Sequence, residues 1–349
     1  MRIAIHPDDY TNPKTGKPDA SSPLWAELLE KAGHKVKWVN VYRADILDQL
    51  KGCDGFMWRW AHFGGMGQIA RRLLPVIENE LGLEVYPDQA TCWHYDDKIA
   101  QYYLLTAAGI PMPKTWVWSD KEQANKWLNE APFPLVIKLW TGASSENVRL
   151  VRDHDEAKLW VDRLFGPGVG HLNETALIPP PCIYKRLRTA ARVIFKGKYP
   201  LRPWELHKNY IYSQEFLPAN DFDTRITVIR NRAFGFRRFN RPEDFRASGS
   251  GNIDYDVSKV DPECVRLGFR IARRLGTQSV ACDFLQLNQK PVVTEISYTY
   301  ASWAIYDCPG YWELEGEDLV WKAGHMWPEE AQIEDFLARL EKRQQSKRN

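Results

Sequence analysis

Hydrophobic positions in the first 90 residues follow two patterns that alternate along the chain. Short runs of strand-forming residues occur at residues 2–6, 35–40, 55–58 and 83–86. Segments with the spacing of an amphipathic helix separate them at residues 24–32, which end at Gly33, and at residues 67–81. Strands and helices that alternate in this way predict a small doubly wound α/β domain over residues 1–90.

Residues 91–165 continue with the same two patterns. Helices are predicted at residues 93–108, 121–129 and 154–165, and strands at residues 115–118, 134–140 and 148–151. Lys98 lies on the first of these helices. Lys138 interrupts the apolar strand PLVIKLW, where it is either an edge residue that reaches water or a cation directed at a ligand.

A loop of small residues follows Lys138 and favours the ligand interpretation. It consists of Thr141, Gly142, Ala143, Ser144 and Ser145. Their backbone N–H groups and hydroxyls can close over phosphate oxygens, which bulky side chains would prevent. The strand and the loop together therefore predict a phosphate site.

The C-terminal half is richer in strands. Residues 212–216, 224–229 and 233–239 predict an antiparallel meander, and residues 279–297 predict a β-hairpin. A three-residue turn centred on Gln289 would place Asp283 directly opposite Glu295. Because facing like charges destabilise a sheet, this pair indicates a magnesium site beside a phosphate. The alternative is two solvated strand residues.

Composition narrows the class of protein. The chain has 349 residues, 44% hydrophobic and 26% charged, with a net charge of +2, which is typical of a soluble protein of two or three subdomains. The balanced charge argues against nucleic acid or membrane partners. Since residues 1–5 lead straight into a strand, no signal peptide is expected and the predicted location is cytoplasmic. Six cysteines without paired spacing predict buried, reduced thiols.

Three further clusters each allow two interpretations. His62, Phe63, Gly64, Gly65 and Gly67 form either a substrate or phosphate loop or a plain loop before a helix. The basic residues between 185 and 202 form either a solvated helix face or a patch for an anionic substrate. The aromatic residues between 298 and 312 belong either to the core or to a site for a sugar or peptide substrate.

Several motifs resemble the ATP-grasp superfamily, and especially the ribosomal-protein glutamate ligases and glutathione synthetases. They occur in that superfamily's order: DK followed by GIPMPKT, then YSQEFLPANDFDTRITVI, then RRFNRPEDFRASGSG, then the hairpin with Asp283 and Glu295. The resemblance covers roughly residues 1–315. It implies an α/β fold, α+β in the catalytic half, with a pre-ATP-grasp domain (1–90), an N-lobe (91–182), a C-lobe (183–325) and a C-terminal helix with a polar tail (326–349).

The resemblance also implies a role for each matched residue, with ATP and Mg²⁺ as the cofactors. Lys98 and Lys138 would contact the ATP phosphates, and residues 141–145 would close over them. The adenine hinge would be Glu215, Phe216 and Leu217. Asp223 would bind the ribose, with Asp221 as the alternative.

The same resemblance places the reacting groups at the end of the nucleotide. Arg225 and Arg246 would face the transferred phosphoryl group and the acyl phosphate. Asp283 and Glu295 would hold the metal. The family usually has an Asn two residues after the Glu, whereas this chain has Ser297, whose shorter side chain would have to coordinate the metal or its water.

The function that the resemblance implies is an ATP-dependent carboxylate–amine ligase. A carboxylate would attack the γ-phosphate, an amine would capture the acyl phosphate, and ADP and phosphate would leave. Another chemistry of the same fold (kinase-like or carboxylase) and a non-catalytic nucleotide-binding module are the alternatives. The expected partners are small-molecule carboxylate and amine substrates, with a homodimer allowed.

Overall fold

The computed structural model describes residues 1–8, 19–61, 65–142, 147–170, 172 and 206–348. The first domain is built on a parallel sheet whose strands alternate with helices, as predicted, and the strand order is β2-β1-β3-β4. Its strands are Arg2–Ile5 (β1), Lys35–Trp38 (β2), Gly55–Met57 (β3) and Glu84–Tyr86 (β4). Its helices are Ser22–Lys31 (α1), Ile46–Gln49 (α2) and Met66–Pro75 (α3), the last continuing as a π-helical turn, Val76–Glu80. The predicted helix at 67–81 therefore has two parts.

The middle lobe carries an antiparallel sheet in the order β5-β8-β6-β7. Its strands are Thr115–Trp118 (β5), Leu135–Lys138 (β6), Val148–Val151 (β7) and Ile211–Glu215 (β8). Two helices precede this sheet: Gln89–Cys92 (α4), whose Cys92 packs in the core of the first domain, and Lys98–Ala107 (α5), whose Leu105 packs with Ile226 further along the chain. The helices of the lobe itself are Lys121–Leu128 (α6) and His154–Leu164 (α7). Helices α6 and α7 pack on one face of this sheet through Leu128 and Trp160.

Two predictions for this lobe are wrong. Residues 93–108 are not one helix, because Asp96 has a φ of 53° and α5 begins only at Lys98, with Asp97 as its N-cap. Strand β8 is not part of the predicted meander, since it pairs with β5 and β6 and its Ile211 is buried against the core of this sheet. The sheet of the middle lobe therefore includes a strand, β8, from beyond the predicted boundary at 182/183.

The last lobe holds a seven-stranded sheet in the order β13-β12-β9-β10-β14-β15, with β11 paired to β10. The strands are Phe222–Ile229 (β9), Arg232–Phe239 (β10), Ile253–Asp254 (β11), Ser279–Leu287 (β12), Lys290–Ser297 (β13), Gly310–Glu315 (β14) and Asp318–Ala323 (β15). The helices are Pro262–Leu275 (α8) and Ser302–Tyr306 (α9). Ile226, Val228 and Cys282 pack with α8 on one face of the sheet.

The hairpin of β12 and β13 brings Asp283 opposite Glu295, as predicted, but by a different path. The turn has two residues, Asn288 and Gln289, both with positive φ, as a tight hairpin turn requires. A bulge then adds Thr294 to β13, because Phe284 pairs with Val293 while Asp283 pairs with Glu295. The shorter turn and the extra residue compensate each other.

The C-terminal helix, Pro328–Arg348 (α10), packs on the first domain. Its Phe336 and Leu340 share a core with Ile3, Ile5 and Trp25. A Cβ added at Gly55 would lie 2.6 Å from the ring of Phe336, so glycine is needed there for the helix to approach β3. The last segment of the chain thus completes the core of the first.

The structure also bears on the cysteines and on the possibility of a membrane span. Five cysteines, all except Cys182, are buried and unpaired, as predicted. Cys182, residues 62–64 of the glycine cluster and the basic residues at 185–202 lie outside the described residues. In the described part of the chain, no helix is both long enough and apolar enough to cross a bilayer.

Candidate functional site

A cavity of about 900 Å³ lies between the first domain and the sheet of the last lobe. The carboxyl ends of β1, β2 and β3 form one wall, which includes His6, Tyr42 and Trp58. In the order β2-β1-β3-β4, the strands β1 and β3 flank the point where the chain reverses direction across the sheet, which is where open α/β sheets bind ligands. The opposite wall is the face of the last sheet that α8 leaves uncovered.

Charged side chains cross this face in a row. Strand register places Glu295 opposite Asp283, and Asp283 opposite Arg225. Because side chains alternate along a strand, Asp223 and Arg225 lie on this face while Ile226 faces α8. All three members of the row line the cavity.

Asp283 is the centre of a network of ion pairs. Arg225 donates to both of its oxygens, over 2.7 and 2.8 Å, and Arg238 lies 2.9 Å from Oδ2. Arg238 also donates to both oxygens of Asp223, over 2.7 and 2.6 Å. Two acidic and two basic side chains therefore balance one another in a nearly buried position, where Asp283 is 6% exposed.

The charges of this network determine its protonation. Burial alone would raise the pKa of Asp283, but the neighbouring Arg225 and Arg238 outweigh it and hold that pKa well below its usual range. Burial likewise disfavours the charged form of Arg238, yet Asp283 and Asp223 raise its pKa above the usual value. Asp283 is consequently a carboxylate throughout the physiological pH range.

The two predicted lysines approach this row from the middle lobe. Lys98, buried at the start of α5, lies 3.2 Å from Glu295 Oε1. Lys138 is on the face of β6 opposite to Ile137, which packs against α6 and α7, and it donates to Gln214 Oε1 over 2.7 Å. Lys138 is therefore a buried residue of an inner strand rather than an edge residue that reaches water.

Burial lowers the pKa of Lys138 to about 8, although Glu295 acts in the opposite direction. A bound phosphate would favour the charged form and raise that pKa, so nucleotide binding near pH 8.5 should take up a proton. The affinity should then fall as the pH rises through 8. We expect isothermal titration calorimetry with MgADP, in buffers of different ionisation enthalpy, to detect this uptake at pH 8.5 and much less of it at pH 7.

The matched control is Lys138→Arg, which carries its charge at every one of these pH values. That variant should bind MgADP without proton uptake. A wild-type protein that binds MgADP at pH 8.5 and takes up no proton would show that Lys138 does not meet the phosphates.

The beginning of the predicted phosphate loop lies beside Lys98. Lys98 Nζ donates to the carbonyl of Gly142 over 2.9 Å, and Asp96 accepts hydrogen bonds from the Thr141 hydroxyl and the Gly142 amide. Gly142 has a φ of 128°, which residues with a side chain rarely adopt. Ala143, Ser144 and Ser145 lie outside the described residues.

The hinge residues occupy the junction between the two lobes. Glu215 ends β8, and its amide donates to the carbonyl of Lys114 over 2.9 Å. Phe216 and Leu217 follow in the connection to β9, where the ring of Phe216 contacts Phe245 edge to face at 5.6 Å. This arrangement is compatible with an adenine hinge, which stays a prediction.

The other predicted site residues lie outside the charged row. Arg246 donates to Asp244 and reaches the carbonyl of Val148, at the end of β7 nearest the phosphate loop. Asp221 is exposed, whereas Asp223 is nearly buried with Arg238. The Ser297 hydroxyl donates to the carbonyl of Thr299 over 2.8 Å and lines the cavity.

The two carboxylates Asp283 and Glu295 fit a magnesium ion that is also bound by a substrate phosphate. Asp283 and Glu295 are neighbours on one face, and the described residues contain no cluster of three or more His, Cys, Asp or Glu side chains suited to a metal. Magnesium is commonly bound by one or two carboxylates together with substrate phosphates and water. Asp283 and Glu295 match that pattern, and Asp283 would exchange one of its hydrogen bonds with Arg225 or Arg238 for the metal.

Three contributors to the site were not identified in the sequence. Arg238 is the second residue of an Arg-Arg pair, and strand alternation could have placed it on the face of Asp223, since the two residues are directly opposed. The role of Asp96 was not predicted, because a continuous helix over residues 93–108 would contain no left-handed residue at this position. The wall formed by the first domain depends on how the domains pack, for which the local sequence gives no signal.

Comparisons with known proteins bear on the fold. Residues 95–174 match the model of the RimK-like ATP-grasp domain. A RimK domain ATP-grasp protein from Sphaerobacter thermophilus is 18% identical, with a TM-score of 0.54 over 97% of this chain and 100% of that one. The D-alanine–D-alanine ligase of Bacillus anthracis, complexed with ATP, is 13% identical, with a TM-score of 0.56 over the whole of both chains.

A third similar structure is the macrocyclase MdnC of Microcystis aeruginosa, bound to its precursor peptide MdnA. It is 14% identical, with a TM-score of 0.55 over 97% of this chain and 100% of that one. At such identities a structural likeness shows the fold alone. The chain has the ATP-grasp fold.

Proposed function

We propose that this chain, with its ATP-grasp fold, is an ATP-dependent ligase that joins a carboxylate to an amine. The observation that carries the proposal is the row of Glu295, Asp283 and Arg225, which lines a substrate-sized cavity and contacts the buried Lys98 through Glu295. Positive groups for phosphates, two carboxylates for a metal and space for further substrates meet at one place. Phosphoryl transfer needs positioning and charge neutralisation rather than a side-chain nucleophile.

The proposed reaction has two steps. A carboxylate oxygen of the first substrate attacks the γ-phosphorus of ATP, and the bond to the β-γ bridging oxygen breaks to release ADP. The amine of the second substrate then attacks the acyl carbon, inorganic phosphate leaves with the former carboxylate oxygen, and the amine loses its proton. Arg225, in the cavity wall, would hold the carboxylate and then the acyl phosphate, with Arg246 beside the phosphate loop.

ATP would lie between the middle sheet and the last lobe. Lys98, Lys138 and the loop at residues 141–145 would hold its phosphates, and Glu215, Phe216 and Leu217 its adenine. We assign the ribose to Asp221 rather than to Asp223, because Asp221 is exposed whereas Asp223 is nearly buried against Arg238. Asp283 and Glu295 would hold magnesium, which supplies positive charge to the transferring phosphoryl group. Ser297 is the remaining candidate metal ligand.

The cavity on the other side of the row would receive the carboxylate and amine substrates. Its volume is near the upper end for ligand sites, so it has room for a substrate larger than a free amino acid. Two of its aromatic side chains, Tyr42 and Trp303, come from different domains and are 50% and 40% exposed. We therefore propose that one substrate carries an apolar or ring-shaped group.

The experiment that tests the proposal is an ADP-release screen with amino acids, uronic acids and small peptides offered singly and in pairs. A ligase should release ADP at its full rate only when a carboxylate and an amine are both present. Rapid ADP release with a single substrate, which accumulates as a stable phosphorylated product, would indicate a kinase instead. Tight MgADP binding without ADP release from any pair would indicate a non-catalytic binding module.

Replacing Trp303 tests the position of the substrates. Trp303→Ala removes an apolar wall of the cavity, so the KM of one substrate should rise by about tenfold while the KM for ATP stays unchanged. The matched control is Trp38→Ala, since Trp38 is 51% exposed on β2 but does not line the cavity. Unchanged KM values for both substrates in Trp303→Ala would place them elsewhere.

A further inference from the structure

We propose that Asp96 is a positioning residue that fixes the start of the phosphate loop, Thr141 and Gly142, against the start of α5. The inference rests on the proposed function, because it presumes that this loop meets the nucleotide. It adds a residue that no motif of the sequence indicates, which acts through the loop and not by touching a phosphate.

The backbone on both sides of the contact has an unusual conformation. Asp96 has a φ of 53°, in the left-handed region, which few residues other than glycine, asparagine and aspartate adopt. Gly142 has a φ of 128°. The left-handed turn at Asp96 separates α4 from α5 and directs its carboxylate towards the loop rather than along a continuous helix.

The two oxygens of Asp96 have separate partners in the loop. Oδ1 accepts the Gly142 amide over 2.9 Å, and Oδ2 accepts the Thr141 hydroxyl. Two further hydrogen bonds complete the attachment to α5: the Lys98 amide donates to the carbonyl of Trp140 over 2.8 Å, and Lys98 Nζ donates to the carbonyl of Gly142 over 2.9 Å. The Asp96 carboxylate thus makes two of the four hydrogen bonds that join residues 140–142 to residues 96–98.

This attachment sets the distance between the loop and the charged row. Lys98 contacts both Gly142 and Glu295, so a displaced Gly142 would also displace the lysine that contacts Glu295, one of the two proposed metal ligands. A carboxylate is itself a poor neighbour for a phosphate. The Asp96 carboxylate acts instead by accepting two hydrogen bonds from the loop, which an aliphatic side chain cannot do.

Two variants of Asp96 separate positioning from charge. Asn can keep the left-handed backbone, accept the Gly142 amide with Oδ1 and donate to the Thr141 oxygen with Nδ2. Asp96→Ala loses both bonds, so the Kd for MgADP and the KM for ATP should each rise by about tenfold or more. Asp96→Asn should stay within about threefold of the wild type, and the KM of the other substrates should change little in both variants.

Thr141→Val and a matched control distinguish the loss of this contact from a general loss of the folded protein. Thr141→Val removes one of the two bonds and should weaken MgADP binding less than Asp96→Ala does. The double variant should bind no more weakly than Asp96→Ala alone, because the two residues form one contact. The control is Asp120→Ala: Asp120 accepts the Gln123 amide over 2.8 Å at the start of α6, so MgADP binding should be unchanged.

Three results would overturn the inference. One is wild-type MgADP affinity in a folded Asp96→Ala variant. Another is an Asp96→Asn variant as defective as Asp96→Ala, which would show that the charge matters and the two bonds do not. Failure of the wild-type protein to bind MgADP would overturn the nucleotide site of the proposed function, and this inference with it.

Discussion

Glu295→Gln is expected to lower the turnover number by about a thousandfold or more, which corresponds to several kcal/mol of transition-state stabilisation. The fold should be retained, because the Glu295 side chain is 36% exposed and its ion pair is a single contact of 3.2 Å with Lys98. The amide keeps the shape of the side chain and loses the charge that a metal needs. The measurements are ADP release, and Mn²⁺ binding in the presence of ADP by electron paramagnetic resonance.

Asp283→Asn should lose as much activity and should also lose stability. The sequence predicts only the first effect, whereas the structure shows Asp283 in ion pairs with both Arg225 and Arg238. The control is Glu313→Gln, since Glu313 lies on β14 of the same sheet and its contacts with Lys322 and Asn231 are long, at 4.0 and 3.5 Å. Full activity in Glu295→Gln, with unchanged Mn²⁺ binding, would contradict the metal assignment.

Arg238→Met is expected to have the largest effect on stability, about 3–5 kcal/mol of the free energy of unfolding. Arg238 is 7% exposed and contacts two carboxylates, so methionine would fill part of the space and leave Asp223 buried without its cation. Chemical denaturation measures the change. The variant should also be inactive, because the orientation of Asp283 depends on the same guanidinium.

The matched control for this prediction is Arg230→Met. Arg230 lies at the turn between β9 and β10, is 47% exposed and contacts Asp335 at 3.6 Å, so its loss should cost less than about 1 kcal/mol. Equal stability of Arg238→Met and Arg230→Met would show that the buried network does not hold the sheet together.

Local patterns were sufficient to predict much of the fold. The parallel first domain follows from strands and helices that alternate, and the pairing of Asp283 with Glu295 follows from the two strand runs of the hairpin. That pairing nevertheless depends on a bulge at Thr294, which no residue preference indicates. The register was therefore right although the predicted turn was one residue too long.

The features that could not be predicted depend on long-range packing. Strand β8 has the same alternation as its successor β9, and only its burial between β5 and β6 assigns it to the middle lobe. The contact of Phe336 with Gly55 joins residues 281 positions apart in the sequence. The ion pair of Asp223 with Arg238 likewise needs the register of β9 and β10, which determines which face each arginine occupies.

We propose that a carboxylate is activated as an acyl phosphate in the site formed by Asp283, Glu295 and Arg225. The most direct measurement uses a carboxylate substrate found in the ADP-release screen, labelled with ¹⁸O in its carboxyl group, and analyses the released phosphate by mass spectrometry. The ligase mechanism predicts one ¹⁸O atom in each phosphate formed by the wild-type protein in the presence of the amine. Phosphate without ¹⁸O, released at the same rate as the amide product, would contradict it.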